Sequence, residues 1–232
     1  MSMATALNVQ SIVPAAGMGM RLGAELPKAL IPIAGRPLLA HTLARLREGG
    51  VMENAIIVAP ASHRDAVARM LDEVFPGHSF TIADGADERQ TSVARGLEVL
   101  AEDTQVVLIH DAARPFVEPA VIRHGIEAAW RWGAATAATP CVDTILVGDE
   151  DGFLEATPDR SRLWACQTPQ IFRRDVITRA HHLAAREGYL ATDDASLARR
   201  MGTPVKLIES SPSNFKITAP NDLAMAQRLL SE

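Results

Sequence analysis

The sequence predicts an α/β fold: a Rossmann-like three-layer sandwich around a mostly parallel, mixed sheet. It is one domain over 1–232 with a protruding β-arm at about 140–162. Short apolar runs alternate with amphipathic stretches, the rhythm of strands joined by crossover helices. One run, Val106-Val107-Leu108-Ile109, is wholly apolar, as a strand covered on both faces requires. The rhythm breaks between Pro140 and Gln167, where Gly148 and Gly152 bracket three acids at a hairpin tip.

Taken in order, residues 9–13 read as a buried strand that carries two polar residues, Gln10 and Ser11. Pro27 and Pro32 disfavour an early helix. Pro37 suits a first helical turn, and Leu38, Leu39, Thr42, Leu43 and Leu46 follow on one face. Residues 54–59 are a second strand. Ser62 is placed to cap a helix reaching about 73, with Val67, Met70, Leu71 and Val74 inward. A weaker strand at 79–83, a helix at 88–100, the apolar strand and a helix at 118–132 come next. An alanine-rich strand at 134–139 leads to the arm, whose strands are predicted at 144–147 and 153–156. A two-stranded hairpin is marginal alone, so the arm should pack on something. Residues 163–166 return to the sheet. Helices at 174–187 and 194–201, a strand at 204–208 and a helix at 220–230 close the chain.

With 232 residues, 47% of them hydrophobic, and a net charge of −5, the chain has an ordinary globular composition. The mild acidity argues against nucleic acid as the main partner. No apolar run approaches the ~20 residues of a membrane span, and no secretory leader is legible. Cys141 and Cys166 lack zinc spacing. Free thiols and a cytoplasmic location are expected.

The stretch 12–30 organises the rest. After the first strand come Ala15, Ala16, Gly17 and Gly19, then Arg21, Gly23 and Lys28. Glycine lets a ligand approach the backbone closely, and successive N–H groups form a concave anion site. With two cations at fixed places, the loop suits a polyphosphate. No Gly-Lys-Ser/Thr closes it as a P-loop. Leu22 stands where a third Rossmann glycine belongs.

Further motifs lie at other strand ends. The run from Asp84 to Val93 follows a strand and opens a helix. Its bland reading is helix capping by Asp87; the functional one is a turn that reads a base edge, with Ser92 reaching the ligand. His110-Asp111-Ala112-Ala113-Arg114-Pro115 follows the apolar strand, where open α/β sheets bind ligands. Asp111 can meet a hydrated metal or a sugar hydroxyl, or merely pair with Arg114. His110 reads as a satisfied structural histidine. Thr144, Arg160 and Gln167-Thr168-Pro169-Gln170 lie in or beside the arm; blandly they are turn polar groups and a strand-ending proline. Thr192-Asp193-Asp194 reads blandly as a helix cap, and Lys216 as an edge-strand lysine.

Together, Ala-Ala-Gly-x-Gly-x-Arg, Pro-Lys, His-Asp-Ala-Ala-Arg-Pro, Asp-Thr-Ile, Leu-Trp-x-x-Gln-Thr-Pro-Gln, Thr-Asp-Asp and Phe-Lys-Ile-Thr resemble the 2-C-methyl-D-erythritol 4-phosphate cytidylyltransferases. The resemblance runs from Ile12 to about Leu230. It implies a nucleotide-diphospho-sugar transferase-like fold. The implied reaction joins CTP to methylerythritol phosphate, yielding the CDP-alcohol and pyrophosphate with Mg²⁺. By the resemblance, Ala15, Ala16, Gly17, Gly19, Arg21 and Lys28 hold the triphosphate. Pro14, Gly85, Asp87, Ser92 and Ala112 contact the nucleoside. Asp111, Arg114, Thr144, Arg160, Thr168, Thr192 and Lys216 place the acceptor. Arg21, Lys28, Arg160 and Lys216 are the implied catalytic cations, and Asp111 is the one candidate metal contact. The family also implies a homodimer in which each arm completes the partner's site. The sequence departs at Ala86, where the motif has glycine. Ser213 stands where some relatives have an acid. The alternatives are a ribitol-5-phosphate cytidylyltransferase and a non-catalytic nucleotide-binding regulator; retention of Arg21, Lys28 and Lys216 speaks against the latter.

Overall fold

The computed structural model describes residues 7–19 and 26–231. Arg21, Leu22 and Gly23 of the predicted phosphate loop lie outside the described residues. The elements in chain order are β1 (Val9–Pro14), β2 (Pro32–Ile33), β3 (Arg36–Pro37), α1 (Leu38–Glu48), β4 (Ile56–Ala59), α2 (Arg64–Val74), β5 (Thr81–Asp84), α3 (Arg89–Glu98) and β6 (Val106–Ile109). They continue with α4 (Pro119–Trp132), β7 (Ala134–Pro140), β8 (Val147–Gly148), β9 (Leu154–Ala156), β10 (Trp164–Arg173), α5 (Arg174–Glu187), α6 (Asp194–Arg200), β11 (Val205–Glu209) and α7 (Pro220–Ser231).

Seven strands form one sheet in the order β11-β7-β10-β6-β1-β4-β5. All neighbours are parallel except β10, which runs antiparallel to both β6 and β7. The expected mixed, mostly parallel sheet is therefore present. Period-2 alternation splits its side chains between two cores. Val13, Ile57 and Leu108 pack with α1, α2 and α4 on one face. Ile12, Ile56, Val58, Val107 and Ile109 pack with α3, α5 and α6 on the other. The helices cover both faces, giving three layers. The two polar residues of β1 are satisfied inside: Ser11 Oγ donates to Val51 O at 2.7 Å, and Gln10 Nε2 to Asn54 O at 2.9 Å.

Three expectations require correction. Ser62 does not cap α2. A 3₁₀ turn, Ala61–His63, intervenes, and the Ser62 hydroxyl meets His63 Nδ1 at 2.9 Å instead. The arm ladder is shorter than predicted, because β8 contains only Val147 and Gly148. The tip is pinned by Asp149 Oδ1, which accepts from the amides of Asp151 and Phe153. Residues predicted to begin that ladder are exposed instead, including Ile145 and Leu146. Finally, Pro169 does not end a strand. β10 continues through it to Arg173, because the proline falls within a register shift between Cys166 and Gln170, where the ladder tolerates a residue without an N–H. The Thr168–Pro169 peptide is cis.

The parallel strands present their carboxyl ends on one side. The loops after β1, β5, β6 and β11 gather there. The N-terminal half of β10 runs beyond the end of β6, since Gln170 pairs with Ile109. Thr168 is thereby brought beside Asp111.

Candidate active site

The loop after β1 folds back on itself. Met18 and Pro27 form an antiparallel bridge, with Gly19 N donating to Leu26 O and Lys28 N to Gly17 O. This bridge sets Lys28 at the mouth of the loop, on a 3₁₀ turn from Lys28 to Leu30. Ala15 N donates to Val58 O at 2.8 Å. The amides of Ala15 and Gly19 are thus committed within the protein. Gly17 faces open space, with nothing within 4 Å of where a Cβ would stand.

The loop after β5 packs against it. Gly85 N donates to Ala59 O at 2.7 Å, and a Cβ on Gly85 would fall 2.3 Å from Ala16 Cβ. Only glycine permits that approach. Ala86, in place of the motif glycine, has its amide donating to Ser92 Oγ, which in turn donates to Ala86 O. Ser92 is buried and its hydroxyl shapes this turn. Asp87 does not cap α3: the cap position is Glu88, without a side-chain bond.

The loop after β6 is held by a directed chain of hydrogen bonds. Arg114 O is only an acceptor, so His110 Nε2 carries the proton and donates to it at 3.0 Å. Nδ1 then accepts from the Thr168 hydroxyl at 3.0 Å, and Thr168 Oγ1 accepts from Asp111 N at 3.1 Å. Burial pushes the His110 pKa down to about 4, so the ring is neutral. His110 is structural, as its sequence position suggests. Ala112 O accepts from Thr42 of α1 at 2.8 Å.

Lys216 lies in the loop between β11 and α7, not on an edge strand. Ile217 N donates to Ala113 O at 2.9 Å, and Asn214 Nδ2 donates to Gln167 Oε1 and Thr168 O. These bonds bring Lys216 Nζ to 2.8 Å from Asp111 Oδ2. Arg89 Nε donates to Asp111 Oδ1 at 3.0 Å, and Arg114 Nε stands 3.9 Å from Oδ2. Burial alone would raise the Asp111 carboxyl; Arg89, then Lys216 and Arg114, hold it well below the usual carboxylate range.

Two cavities open here. The larger, about 460 Å³, is walled by Pro14 to Met18, Lys28, Ala86, Asp87, Ser92 and Ala112. The smaller, about 250 Å³, is walled by Arg114, Cys166, Gln167, Thr168, Gln170, Thr192 and Asp193. Arg89, Asp111 and Lys216 line both. Gly19 and Gly85 stand behind the larger cavity rather than on its wall. Thr144 and Arg160 line neither cavity; both are exposed, and Arg160 Nη1 donates to Val142 O within the arm.

The model for 2-C-methyl-D-erythritol 4-phosphate cytidylyltransferase matches residues 9–232. The chain belongs to this family. The cytidylyltransferase of that name from Desulforamulus reducens is 42% identical over 224 residues, 96% of each chain. Its counterpart from Caldanaerobacter subterraneus is 40% identical, covering 97% of this chain and 99% of the relative. Among solved structures, the enzyme from Thermus thermophilus superposes with a TM-score of 0.81 at 34% identity, over 97% of this chain and all of that one (100%). The 4-diphosphocytidyl-2C-methyl-D-erythritol synthase from Anaerococcus prevotii gives a TM-score of 0.86 at 27% identity, over 97% and 99%. The chain is a nucleotidyltransferase of isoprenoid biosynthesis. It transfers the cytidylyl group of CTP to methylerythritol phosphate and releases pyrophosphate. Such nucleotide chemistry is compatible with a divalent metal. Among the described residues, no helix is long and apolar enough to cross a membrane.

Sequence reasoning omitted Arg89, Asp194 and Gln170 from the site. Arg89 Nη1 donates to Asp194 Oδ2 at 2.7 Å, and Asp194 Oδ1 meets His181 Nε2 at 2.9 Å. Gln170 Oε1 accepts from the amides of Asp194 and Ala195. The available signals were an arginine within the Asp84-to-Val93 motif and a second aspartate after Thr192.

Proposed function

We propose that CTP occupies the larger cavity and methylerythritol phosphate the smaller, so that the acceptor phosphate meets the α-phosphorus at the wall they share. The observation that carries this reading is Lys216, a cation lining both cavities at their junction. A phosphate monoester, with a second pKa about 6, is already mostly dianionic at neutral pH. Its oxygen attacks the α-phosphorus, the bond from that phosphorus to the β-phosphate oxygen breaks, and pyrophosphate leaves. No general base is required. His110 takes no proton from the acceptor, because both ring nitrogens are engaged. The obstacle is repulsion between anions, which Lys28 and Lys216 offset by preorganised charge. Asp111, Arg114, Thr168 and Thr192 orient the acceptor. Arg21 would act with Lys28, as the motif implies.

Asp111 is a poor metal ligand here, since three cations already face it. Among the described residues, no group of three or more His, Cys, Asp or Glu is placed to hold a metal. Mg²⁺ would be carried in on triphosphate oxygens and water. Bound there, it would neutralise charge on the transferring phosphate.

We also infer one nucleotidyltransferase domain over 1–232, working in the cytoplasm as a homodimer with crossed arms. The arm exposes Val142, Leu146, Phe153 and Leu154, while Thr144 and Arg160 stand clear of their own cavities. Both observations suit an arm that reaches the partner's site. The test of substrate is pyrophosphate release from CTP with methylerythritol phosphate and with ribitol 5-phosphate. Release with the first alone is expected; preference for ribitol phosphate would overturn the acceptor assignment.

A further inference from the structure

A chain of paired ionisable side chains runs through the wall between the cavities. His181 meets Asp194, Asp194 meets Arg89, Arg89 meets Asp111, and Asp111 meets Lys216. Asp194 is 1% exposed and Asp111 8% at the side chain, so both carboxylates depend on protein cations. The guanidinium of Arg89 spans them with different nitrogens, Nε toward Asp111 and Nη1 toward Asp194. Its position is fixed from behind. His181 Nε2 lies 2.9 Å from Asp194 Oδ1, and the Asp194 amide donates to Gln170 Oε1 at 2.9 Å.

Lys216 has two demands on it. Its Nζ lies 2.8 Å from Asp111 Oδ2. In the proposed reaction it turns toward the acceptor phosphate and away from that carboxylate. A buried carboxylate that loses its cation is strongly disfavoured. Arg89 offsets most of this penalty, because it stays hydrogen-bonded to Oδ1 whichever way Lys216 turns, whereas Arg114 Nε stands 3.9 Å from Oδ2.

We propose that Arg89 is a positioning residue for the acceptor: by bridging Asp111 to buried Asp194, it keeps Asp111 charged and in place so that Lys216 is released to the acceptor phosphate. It acts through Asp111 and Lys216 rather than on the reacting atoms. Lysine, a point charge without a fork, cannot serve both carboxylates in that geometry. The inference rests on the assignment of the smaller cavity to the acceptor.

The test is steady-state kinetics of Arg89→Met, Arg89→Lys, Asp111→Asn and the double variants Arg89→Met/Asp111→Asn and Arg89→Lys/Asp111→Asn, with unfolding curves for each. In Arg89→Met, KM for methylerythritol phosphate should rise about 10- to 100-fold, the range for losing a hydrogen bond to a charged group. KM for CTP should rise by a clearly smaller factor, since Arg89 lines that cavity too but directs its ion pairs to Asp111 and Asp194. Arg89→Lys should recover only part of the loss; it also serves if the methionine variant does not fold. Asp111→Asn should be harmful in the wild-type background but much less so beside Arg89→Met or Arg89→Lys, because the neutral side chain no longer retains Lys216. Additive effects, an equal rise in both KM values, or wild-type kinetics in folded Arg89→Lys would overturn the proposal. Arg114→Ala and Thr192→Ala separate the two levels. If neither alters the acceptor KM, the cavity assignment fails and this inference falls with it. If both raise it while the Arg89 variants do not, only the role of Arg89 fails.

Discussion

Replacing Gly85 by alanine tests whether the larger cavity, proposed to hold CTP, depends on close contact between two loops. The added methyl would sit 2.3 Å from Ala16 Cβ and 3.2 Å from Ala59 O. Ordinary contacts begin near 3.4 Å, so the loops must part by roughly 1 Å. Neither neighbour is a flexible side-chain end that can swing aside. Overpacking of this kind costs about 1–3 kcal/mol of stability. The functional loss should be larger in proportion. The backbone from Ala15 to Met18 on one side and the turn at Ala86 on the other form opposite walls of the cleft. A displacement of ~1 Å in a reacting geometry lowers rate by about 10²-fold. Gly85→Ala should therefore unfold several degrees earlier and show a raised KM for CTP, with kcat/KM down by about two orders of magnitude. The acceptor KM at saturating CTP should change little. Calorimetry and pyrophosphate-release kinetics measure these quantities. Unchanged melting and an unchanged KM for CTP would refute the reasoning.

Lys28→Ala should fold normally and lose about 10²–10³ in turnover, the range for one preorganised charge-stabilising donor; near-normal turnover would rule out its role. Excess EDTA should abolish activity and added Mg²⁺ restore it, whereas full activity without divalent cations would exclude metal-borne CTP. Mixing Lys28→Ala with Arg160→Ala should restore activity if arms cross, because one site of the mixed dimer then carries both lesions and the other carries none. No recovery in proven mixed dimers would place Arg160 in its own subunit's site. His110 is neutral when folded down to about 4, against 6.5 for the free side chain. Between those values the unfolded chain binds the extra proton, so stability rises with pH across the window and falls as pH drops from 6.5 toward 4. The loss is about 3 kcal/mol. Urea unfolding at several pH values should show a shallower slope for His110→Asn; identical slopes would show that His110 does not carry it.

The sequence determined the order of elements, the alternation of strand and helix, and several of the loops that line the two cavities. These are local properties: an apolar run such as Val106 to Ile109, the prolines that delay α1, and the motif at 12–30 are each legible within a few turns of chain. The sequence reading of His110 as a satisfied histidine agrees with its two ring hydrogen bonds. It did not determine which motif faces which. Pro169 looks like a strand end until the pairing of β10 with β7 supplies a register shift that accepts it. Lys216 looks like an edge residue until Asn214 and Ile217 tie its loop across the ends of β10 and β6. The bond from Arg89 to Asp194 joins residues 105 positions apart. Only the strand order places α3 beside α6 and both beside Asp111. Charge complementarity in a sequence names many pairs. Burial in one folded chain decides which carboxylate meets which cation, because a buried carboxylate there is stable only beside its partner.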